Sequence, residues 1–198
     1  MLAIVDSGGA NISSVRFALE RLGVRSELTA DPAVIRAAER VILPGVGAAS
    51  EGMKRLQAKG LVDCVRGLTQ PVLGVCLGMQ LLFEDSEEDG GVKTLGLVPG
   101  RVALLPESPG ITVPHMGWNT ILTGKNVRLL DGIAPDAHFY FVHSYAGPVN
   151  AFTLASSDHG RPFAAMVQRG NFSGVQFHPE RSGAPGARLL RNFVEGRV

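Results

Sequence analysis

A cysteine lies between two glycines at residues 74–78, whose sequence is GVCLG. An apolar run precedes this stretch and an apolar helical pattern follows it, which gives the G-x-C-x-G spacing of a nucleophile elbow. In such a turn the N-terminus of the next helix favours the thiolate of Cys76, and the backbone N–H of Leu77 can donate to an oxyanion. A buried structural cysteine is the competing interpretation. The motif alone leaves both open.

A histidine and a glutamate two residues apart form a second candidate, His178 and Glu180 in the stretch VQFHPE. Because alternate residues of a strand project to the same face, the two side chains can point together. A carboxylate beside an imidazole holds its tautomer and stabilises the imidazolium, as in a catalytic triad. A metal site would need further ligands, and none at ligand spacing accompanies this motif. An ordinary surface turn is the alternative, and it would be preferred if this motif stood alone.

Two glycines and a proline follow the third predicted strand, in the sequence PGVG at residues 44–47. They allow backbone amides to face a ligand at the carboxyl edge of a sheet, where open α/β folds bind their ligands. This arrangement suits an oxyanion hole, although the motif by itself favours an ordinary strand-to-helix turn. A phosphate loop is disfavoured, since no lysine follows at the required spacing.

The only tryptophan and both tyrosines fall in two stretches, PHMGWN at residues 114–119 and YFVHSY at residues 140–145. Aromatic side chains with polar tips suit a partner surface or the rim of a pocket. Core packing is an equal alternative for Phe141 and Val142. His115 and His143 fit a structural role better than a catalytic one.

The elements that must position these residues differ between the two halves of the chain. In the first half, predicted strands alternate with predicted helices, which calls for a parallel sheet covered on both faces. The strands are expected at 2–5, 24–28, 40–43 and in a segment ending near residue 76, with helices at 12–22, 32–38, 61–68 and from the PGVG turn to about residue 59. In the second half, antiparallel strands are expected at 97–106, 111–121, 138–143, 150–156, 163–169 and 172–177, before a helix at 185–195. The sequence therefore predicts one α/β domain over residues 1–198.

Composition narrows the classes of function. The chain has 198 residues, 45% of them hydrophobic, and a formal net charge of +1 without a basic cluster. These features disfavour a nucleic-acid or membrane role, and no segment suggests a signal peptide or a spanning helix. Two cysteines are too few for a disulfide framework or a zinc ribbon. We expect a cytoplasmic protein.

Three motifs together, GVCLGMQLLF, PGVG and QFHPE, resemble those of the class I (triad) glutamine amidotransferases, and they occur in the order typical of that family. With DSGGAN, VPHMGWN and YFVHSY, the chain is most similar to the glutaminase subunits of imidazole glycerol phosphate synthase. The resemblance implies a flavodoxin-like, mostly parallel central sheet with helices on both faces and an antiparallel β extension. Two details depart from the commoner pattern: the start reads DSGGAN rather than D-Y-G-x-G-N, and Arg181 replaces a lysine.

The resemblance also implies roles for individual residues. Cys76, His178 and Glu180 would form a triad that hydrolyses glutamine, with the amides of Val46 and Leu77 as the oxyanion hole. Glutamine would be held by Gly47, Gln80, Ser144 and Tyr145, with Glu88 as a weaker candidate. Ammonia would pass to a (βα)₈-barrel cyclase subunit, in contact with Asn11, Met116, Trp118 and Tyr140. No metal or organic cofactor is implied.

Three other functions share some of these features. Other glutaminase subunits, including the one that serves pyridoxal phosphate synthesis, share the nucleophile and His-x-Glu motifs but are disfavoured by VPHMGWN and YFVHSY. A peptidase-like enzyme or γ-glutamyl hydrolase would keep the fold and need no partner that accepts ammonia. A non-catalytic binding subunit is disfavoured by the intact Cys, His and Glu.

Cys64 lies in a helical pattern without glycine neighbours or a basic partner, and we expect it to be inert.

Overall fold

The computed structural model describes residues 1–8, 12–124 and 126–197. Its strands are β1 (Leu2–Val5), β2 (Ser26–Thr29), β3 (Arg40–Gly45), β4 (Val72–Cys76), β5 (Asp85–Ser86), β6 (Val92–Lys93), β7 (Arg101–Leu104), β8 (His115–Thr120), β9 (His138–His143), β10 (Tyr145–Ala146), β11 (Thr153–Asp158), β12 (Pro162–Arg169) and β13 (Phe172–Val175). Its helices are α1 (Ile12–Arg21), α2 (Pro32–Ala37), α3 (Ala49–Ala58), α4 (Val62–Arg66), α5 (Leu77–Gln80) and α6 (Gly183–Val194). Short 3₁₀ turns lie at Glu88–Gly90, Arg128–Leu130 and Pro179–Arg181.

Seven strands form the main sheet, in the order β11-β12-β13-β4-β3-β1-β2. The strands from β13 to β2 run parallel to one another, and β12 and β11 extend the sheet antiparallel at one edge. The expected mostly parallel sheet with an antiparallel extension is therefore confirmed.

One strand of the second half departs from the prediction. The segment 172–177 was expected among the antiparallel strands, but β13 pairs parallel with β4, with Gly174 opposite Gly74. A tight turn from β12 returns the chain beside Val72, at the amino end of β4, and every residue of β13 is buried. Burial on both faces is typical of a parallel strand.

The central strands are apolar on both faces because helices cover both. On one face Ile4, Ile42 and Leu73 share a core with the apolar stripes of α1 and α6. On the other face Val41 and Leu43 share a second core with side chains from α2, α3 and α4. The hydrophobic effect thus fixes the sheet between two layers and leaves its carboxyl edge for a site.

Two smaller sheets complete the fold. β10, β7, β5 and β6 form one, and the hairpin of β8 and β9 forms the other, with Trp118 paired to Tyr140. Inward-facing Phe139 and Phe141 of the hairpin join the core beside α6, while Met116 and Trp118 are exposed. Among the described residues, no helix is long and apolar enough to cross a membrane.

Candidate active site

Cys76 sits at the end of β4 in a strained backbone conformation. Its φ is 54° and its ψ is −112°, a region that side chains with a Cβ rarely adopt. The next residue, Leu77, begins the short helix α5, so the sharp turn of an elbow is present. Strain of this kind persists only where the surrounding structure enforces it.

The flanking glycines enforce this turn by close packing. A Cβ on Gly78 would lie 1.8 Å from the carbonyl oxygen of Leu43, and one on Gly74 would lie 2.7 Å from the carbonyl oxygen of Gly78. Neither glycine has a positive φ. The unusual backbone conformation belongs to Cys76 itself, and the glycines allow β3, β4 and α5 to approach closely.

His178 and Glu180 are hydrogen-bonded to each other and buried. His178 Nδ1 lies 2.8 Å from Glu180 Oε1, and the two side chains are 4% and 1% exposed. This burial excludes the surface-turn alternative. β13 ends at Val175, so the 3₁₀ turn at Pro179–Arg181 returns Glu180 to the imidazole. The strand alternation used to predict this pairing is wrong, although the pairing itself is present.

The imidazole of His178 is held in its charged form. Burial alone would lower the pKa of His178, but its interactions with Cys76 and Glu180 outweigh burial and raise the pKa to about 10. His178 Nε2 has no well-aligned hydrogen-bond partner among the described residues, although the interaction with Cys76 contributes most to raising the pKa of His178. An imidazolium beside a thiol stabilises the thiolate, which is the nucleophilic form.

The second cysteine lies in a different environment. Cys64 is 1% exposed, and its thiol contacts only the carbonyl oxygen of Pro32, at 3.8 Å, among the hydrogen-bond partners described. Burial raises the pKa of the Cys64 thiol, which disfavours the thiolate. Its surroundings fit the inert role expected for it.

A cavity of about 730 Å³ opens over Cys76. Its lining includes both expected oxyanion residues and all five expected glutamine contacts, together with His143 and Arg181. The lining residues are Val46, Gly47, Ala48, Cys76, Leu77, Gln80, Glu88, Val142, His143, Ser144, Tyr145, His178 and Arg181. The cavity is large enough for an amino-acid substrate.

Two of the expected glutamine contacts already have protein partners. The Gln80 Nε2 atom donates to the carbonyl oxygen of Tyr145 at 2.8 Å and to Gln176 Oε1 at 3.1 Å. Glu88 Oε2 accepts from the backbone N–H of Ala49 at 2.7 Å, and burial raises the pKa of Glu88. Gln80 therefore shapes the pocket wall, and Glu88 ties that wall to the start of α3.

The expected partner residues lie outside the cavity. Met116 and Trp118 are 63% and 56% exposed on β8, and the Trp118 and Tyr140 rings pack edge to face with centroids 5.8 Å apart. Asn11 lies outside the described residues. The hairpin thus presents an amphipathic aromatic surface of the kind that anchors interfaces.

Residues without a predicted role also contact the site. Gln176 is fully buried, and its Nε2 lies 3.9 Å from Cys76 Sγ. The Ser182 hydroxyl donates to the carbonyl oxygen of His178 at 2.7 Å and accepts from the N–H of Tyr140 at 3.0 Å. The sequence signal that could have identified them is a polar residue within or just after an apolar motif. A polar side chain in such a position is buried only when it is hydrogen-bonded, so it is a candidate for a contact with the site.

Metal binding finds no support in the part of the chain that the structure describes, where no three His, Cys, Asp or Glu side chains could hold an ion. The polar groups of the cavity instead surround a thiol, an imidazolium and a carboxylate. This arrangement can perform acyl transfer through a thioester.

The sequence profile described as glutamine amidotransferase class-I matches residues 3–196, nearly the whole chain. The chain belongs to this family. This amidotransferase is 56% identical over 194 residues to "Imidazole glycerol phosphate synthase subunit HisH" of Xanthomonas axonopodis pv. citri, covering 98% of this chain and 96% of the relative. It is 52% identical over 199 residues to the protein of the same name from Vibrio cholerae, covering 98% of each.

A solved structure carries the same fold as this amidotransferase. A crystal structure of a glutamine amidotransferase superposes with a TM-score of 0.75 at 19% sequence identity, covering 98% of this chain and 97% of that one. At this identity the likeness speaks for the fold alone. The resemblance inferred from the three motifs is confirmed by the family match.

Proposed function

We propose that this amidotransferase is the glutaminase subunit of imidazole glycerol phosphate synthase, which acts in histidine biosynthesis. It hydrolyses glutamine to glutamate and ammonia. The observation that carries the proposal is the strained Cys76 beside the buried His178–Glu180 pair, at the floor of a cavity of about 730 Å³. The two relatives named for this synthase, each covered almost end to end, supply the identity of the larger enzyme.

The triad residues divide the chemistry between them. The Cys76 thiolate attacks the side-chain amide carbon of glutamine, and the backbone N–H groups of Val46 and Leu77 bind the oxyanion that forms. As the C–N bond breaks, the His178 imidazolium gives its proton to the departing ammonia, which leaves a γ-glutamyl thioester. His178 then takes a proton from water, which attacks the thioester and releases glutamate and the thiolate. Glu180 orients the imidazole throughout.

Glutamine binding falls to the residues around the cavity mouth. Gly47, Ser144 and Tyr145 offer backbone and hydroxyl groups to the substrate, and the Glu88 carboxylate can pair with its α-ammonium group. Gln80 acts indirectly, because its amide nitrogen already holds the Tyr145 carbonyl oxygen. A site of this kind binds the polar ends of glutamine and leaves its side-chain amide over Cys76.

Ammonia leaves for a second protein, a (βα)₈-barrel cyclase subunit. We place the contact on the face that bears Met116, Trp118 and Tyr140, where exposed aromatic area is concentrated. Residues 1–198 act as one amidotransferase domain, in keeping with a family match over residues 3–196. We propose the cytoplasm as its compartment, because the catalytic thiol must stay reduced.

Reconstitution tests the assignment. The chain and a barrel cyclase should co-purify and form imidazole glycerol phosphate from glutamine, while Cys76→Ala should support synthesis only from added ammonium salt. The free chain should hydrolyse glutamine slower than the complex by about 10²–10³, the worth of one oxyanion donor, because glycines on both sides of Val46 would let the peptide that carries its N–H rotate out of the oxyanion hole. Failure of wild type to use glutamine with an active cyclase would contradict the proposal, and equal turnover with and without the cyclase would remove the activation step.

A further inference from the structure

Two buried histidines, neither of them part of the triad, form a hydrogen-bonded pair beside the pocket, which His143 helps to line. His143 Nδ1 lies 2.9 Å from the carbonyl oxygen of Tyr145, and His143 Nε2 lies 3.0 Å from His115 Nδ1. The rings are 4% and 6% exposed for His115 and His143. Their contacts fix where the protons are, because a carbonyl oxygen can only accept.

The proton positions follow one after another from that carbonyl group. Burial lowers the pKa of His143 to about 3 and that of His115 to about 4, so both rings are neutral. His143 therefore donates from Nδ1 to Tyr145, and its bare Nε2 accepts from His115 Nδ1. The bare Nε2 of His115 in turn faces Asn119 Nδ2, at 3.3 Å. Each N–H group in this series therefore donates in the same direction, from β8 toward the carbonyl oxygen of Tyr145.

The same carbonyl group connects these histidines to the nucleophile. The oxygen of Tyr145 also accepts from Gln80, whose amide reaches Gln176. Gln176 Nε2 lies 3.9 Å from Cys76 Sγ. A continuous polar chain thus runs from Asn119, through His115 and His143, to the wall of the glutamine site.

Strand β8 carries this chain on one face and exposed aromatic surface on the other. His115 and Asn119 project inward, whereas Met116 and Trp118 project outward and are 63% and 56% exposed. Stacking on Phe141 and His159, with ring centroids 4.9 Å and 4.2 Å away, holds the His115 ring in place. A displacement of β8 would therefore move the His115 ring and, through their hydrogen bond, His143.

We propose that His115 and His143 are positioning residues for glutamine, which hold the Ser144–Tyr145 segment against the substrate by keeping both rings in the Nδ1–H tautomer. The inference rests on the proposed glutaminase site at Cys76. The reverse tautomers would place a ring lone pair against the Tyr145 carbonyl oxygen and repel it. Because the segment binds the part of glutamine that does not react, its displacement weakens ground-state and transition-state binding alike and raises KM rather than lowering kcat.

A matched pair of substitutions separates the hydrogen bond from the ring. His115→Asn keeps an N–H near the Nδ1 position, whereas His115→Gln moves its amide toward the Nε2 position and loses the donor to His143. In the reconstituted complex, His115→Asn should keep the KM for glutamine within about twofold of wild type, and His115→Gln should raise it about tenfold with kcat little changed. Equal KM values in the two variants, or a fall in kcat alone for His115→Gln, would overturn the inference.

Nitrogen NMR of the wild-type chain tests the tautomers without any substitution. Two-bond proton–nitrogen spectra at neutral pH should show His115 and His143 as neutral Nδ1–H tautomers and His178 as an imidazolium. An Nε2–H tautomer at either His115 or His143 would contradict the proposal. This test uses only the wild-type chain, so it holds even if a variant fails to fold. A glutamine-like chloroketone distinguishes failure of this proposal from failure of the proposed glutaminase site. If Cys76 is labelled but the tautomers differ from those expected, only the positioning role of His115 and His143 is rejected. If Cys76 in the wild-type complex is not labelled, the glutaminase site itself is rejected.

Discussion

The two walls of the cavity are built by different forces. We call residues 44–48 and 76–80 the elbow wall, and residues 142–145 and 178–181 the polar wall. The elbow wall depends on backbone approach, since a Cβ on Gly78 would lie 1.8 Å from the carbonyl oxygen of Leu43. The polar wall depends on side-chain hydrogen bonds, such as those of Ser182 to the His178 and Tyr140 backbones. Steric contact tolerates almost no change, whereas a hydrogen-bonded wall can lose one bond and keep the others.

This difference assigns distinct tasks to the two walls. The rigid elbow holds the proposed nucleophile and one side of the proposed oxyanion hole, where a small misplacement would be costly. The polar wall contains the proposed general acid and part of the proposed substrate site, and it is continuous with the exposed hairpin of β8 and β9. We therefore expect substitutions in the elbow wall to cause abrupt failure, and substitutions in the polar wall to cause graded changes in kinetics.

Removing the nucleophile should have the largest effect on activity while leaving both walls intact. Cys76→Ala should lower glutaminase kcat by about 10⁶-fold, because the covalent route is lost. The matched control, Cys64→Ala, removes the other buried thiol and should keep wild-type kcat. Steady-state assays of the complex measure both, and peptide mapping after chloroketone labelling should find the label on Cys76. Label mainly on Cys64 would overturn the assignment of the nucleophile.

Adding one methyl group should break the elbow wall. Gly78→Ala should destabilise the chain by at least about 4 kcal/mol, because its Cβ meets backbone that cannot move away easily. Gly124→Ala is the matched control: a Cβ there meets nothing within 4 Å, and its effect should stay within about 0.5 kcal/mol. Denaturant unfolding monitored by circular dichroism measures both. Similar unfolding midpoints for the two variants would show that the elbow relaxes.

Removing a charge from the polar wall should change the pH profile. The pKa of His178 is raised to about 10, so its imidazolium persists from below neutral pH and is lost as the pH rises through about 10. Glu180→Gln removes a carboxylate that raises this pKa, so the alkaline fall in kcat/KM should begin at lower pH. The loss of orientation should also lower kcat by about 10²–10⁴-fold.

Glu51→Gln is the control for this profile, since Glu51 is an exposed carboxylate paired with Arg55. Its pH profile should match that of wild type. An unchanged alkaline limb in Glu180→Gln would show that the carboxylate does not set the charge of His178, and the triad would reduce to a dyad of Cys76 and His178.

The elbow wall could be predicted from the sequence because its determinants are local. Close packing needs glycines at fixed positions around Cys76, and a strand followed by a helix is visible as a change of hydrophobic period. The parallel strands of the first half were likewise evident as short apolar runs between helical patterns. Even there, sequence could not show which residue carries the positive φ.

For the polar wall, the sequence predicted which residues belong to the site but not how they contact one another. Its contacts join positions far apart in the chain, such as Gln80 with Tyr145 and His115 with His143. The pairing of β13 with β4 is of the same kind, because the composition of a strand does not reveal its neighbour. His178 and Glu180 were paired correctly for the wrong reason, since a 3₁₀ turn joins them. Gln176 and Ser182 are recognised only from the folded structure, through their contacts with Cys76 and with the backbone of His178.

The smallest effect is expected on the outer face of the hairpin, where the polar wall meets solvent. Trp118 is 56% exposed and packs edge to face on Tyr140. Trp118→Ala should weaken assembly with the cyclase about tenfold, roughly 1.4 kcal/mol, because exposed aromatic side chains often anchor interfaces. Val149→Ala, at a 50% exposed position outside the β8–β9 hairpin, is the control and should bind as wild type does.

Fluorescence gives a direct measurement, since Trp118 is the only tryptophan of the chain. Mixing wild-type chain with a cyclase that lacks tryptophan should shift its emission to shorter wavelength, as the indole leaves water. If docking also shifts β8 and thereby the substrate site, Trp118→Ala should lower glutamine-dependent synthesis at saturating cyclase. Synthesis from added ammonium salt should be unchanged. An unshifted spectrum together with wild-type synthesis in the variant would move the interface elsewhere and leave the polar wall without its connection to the partner.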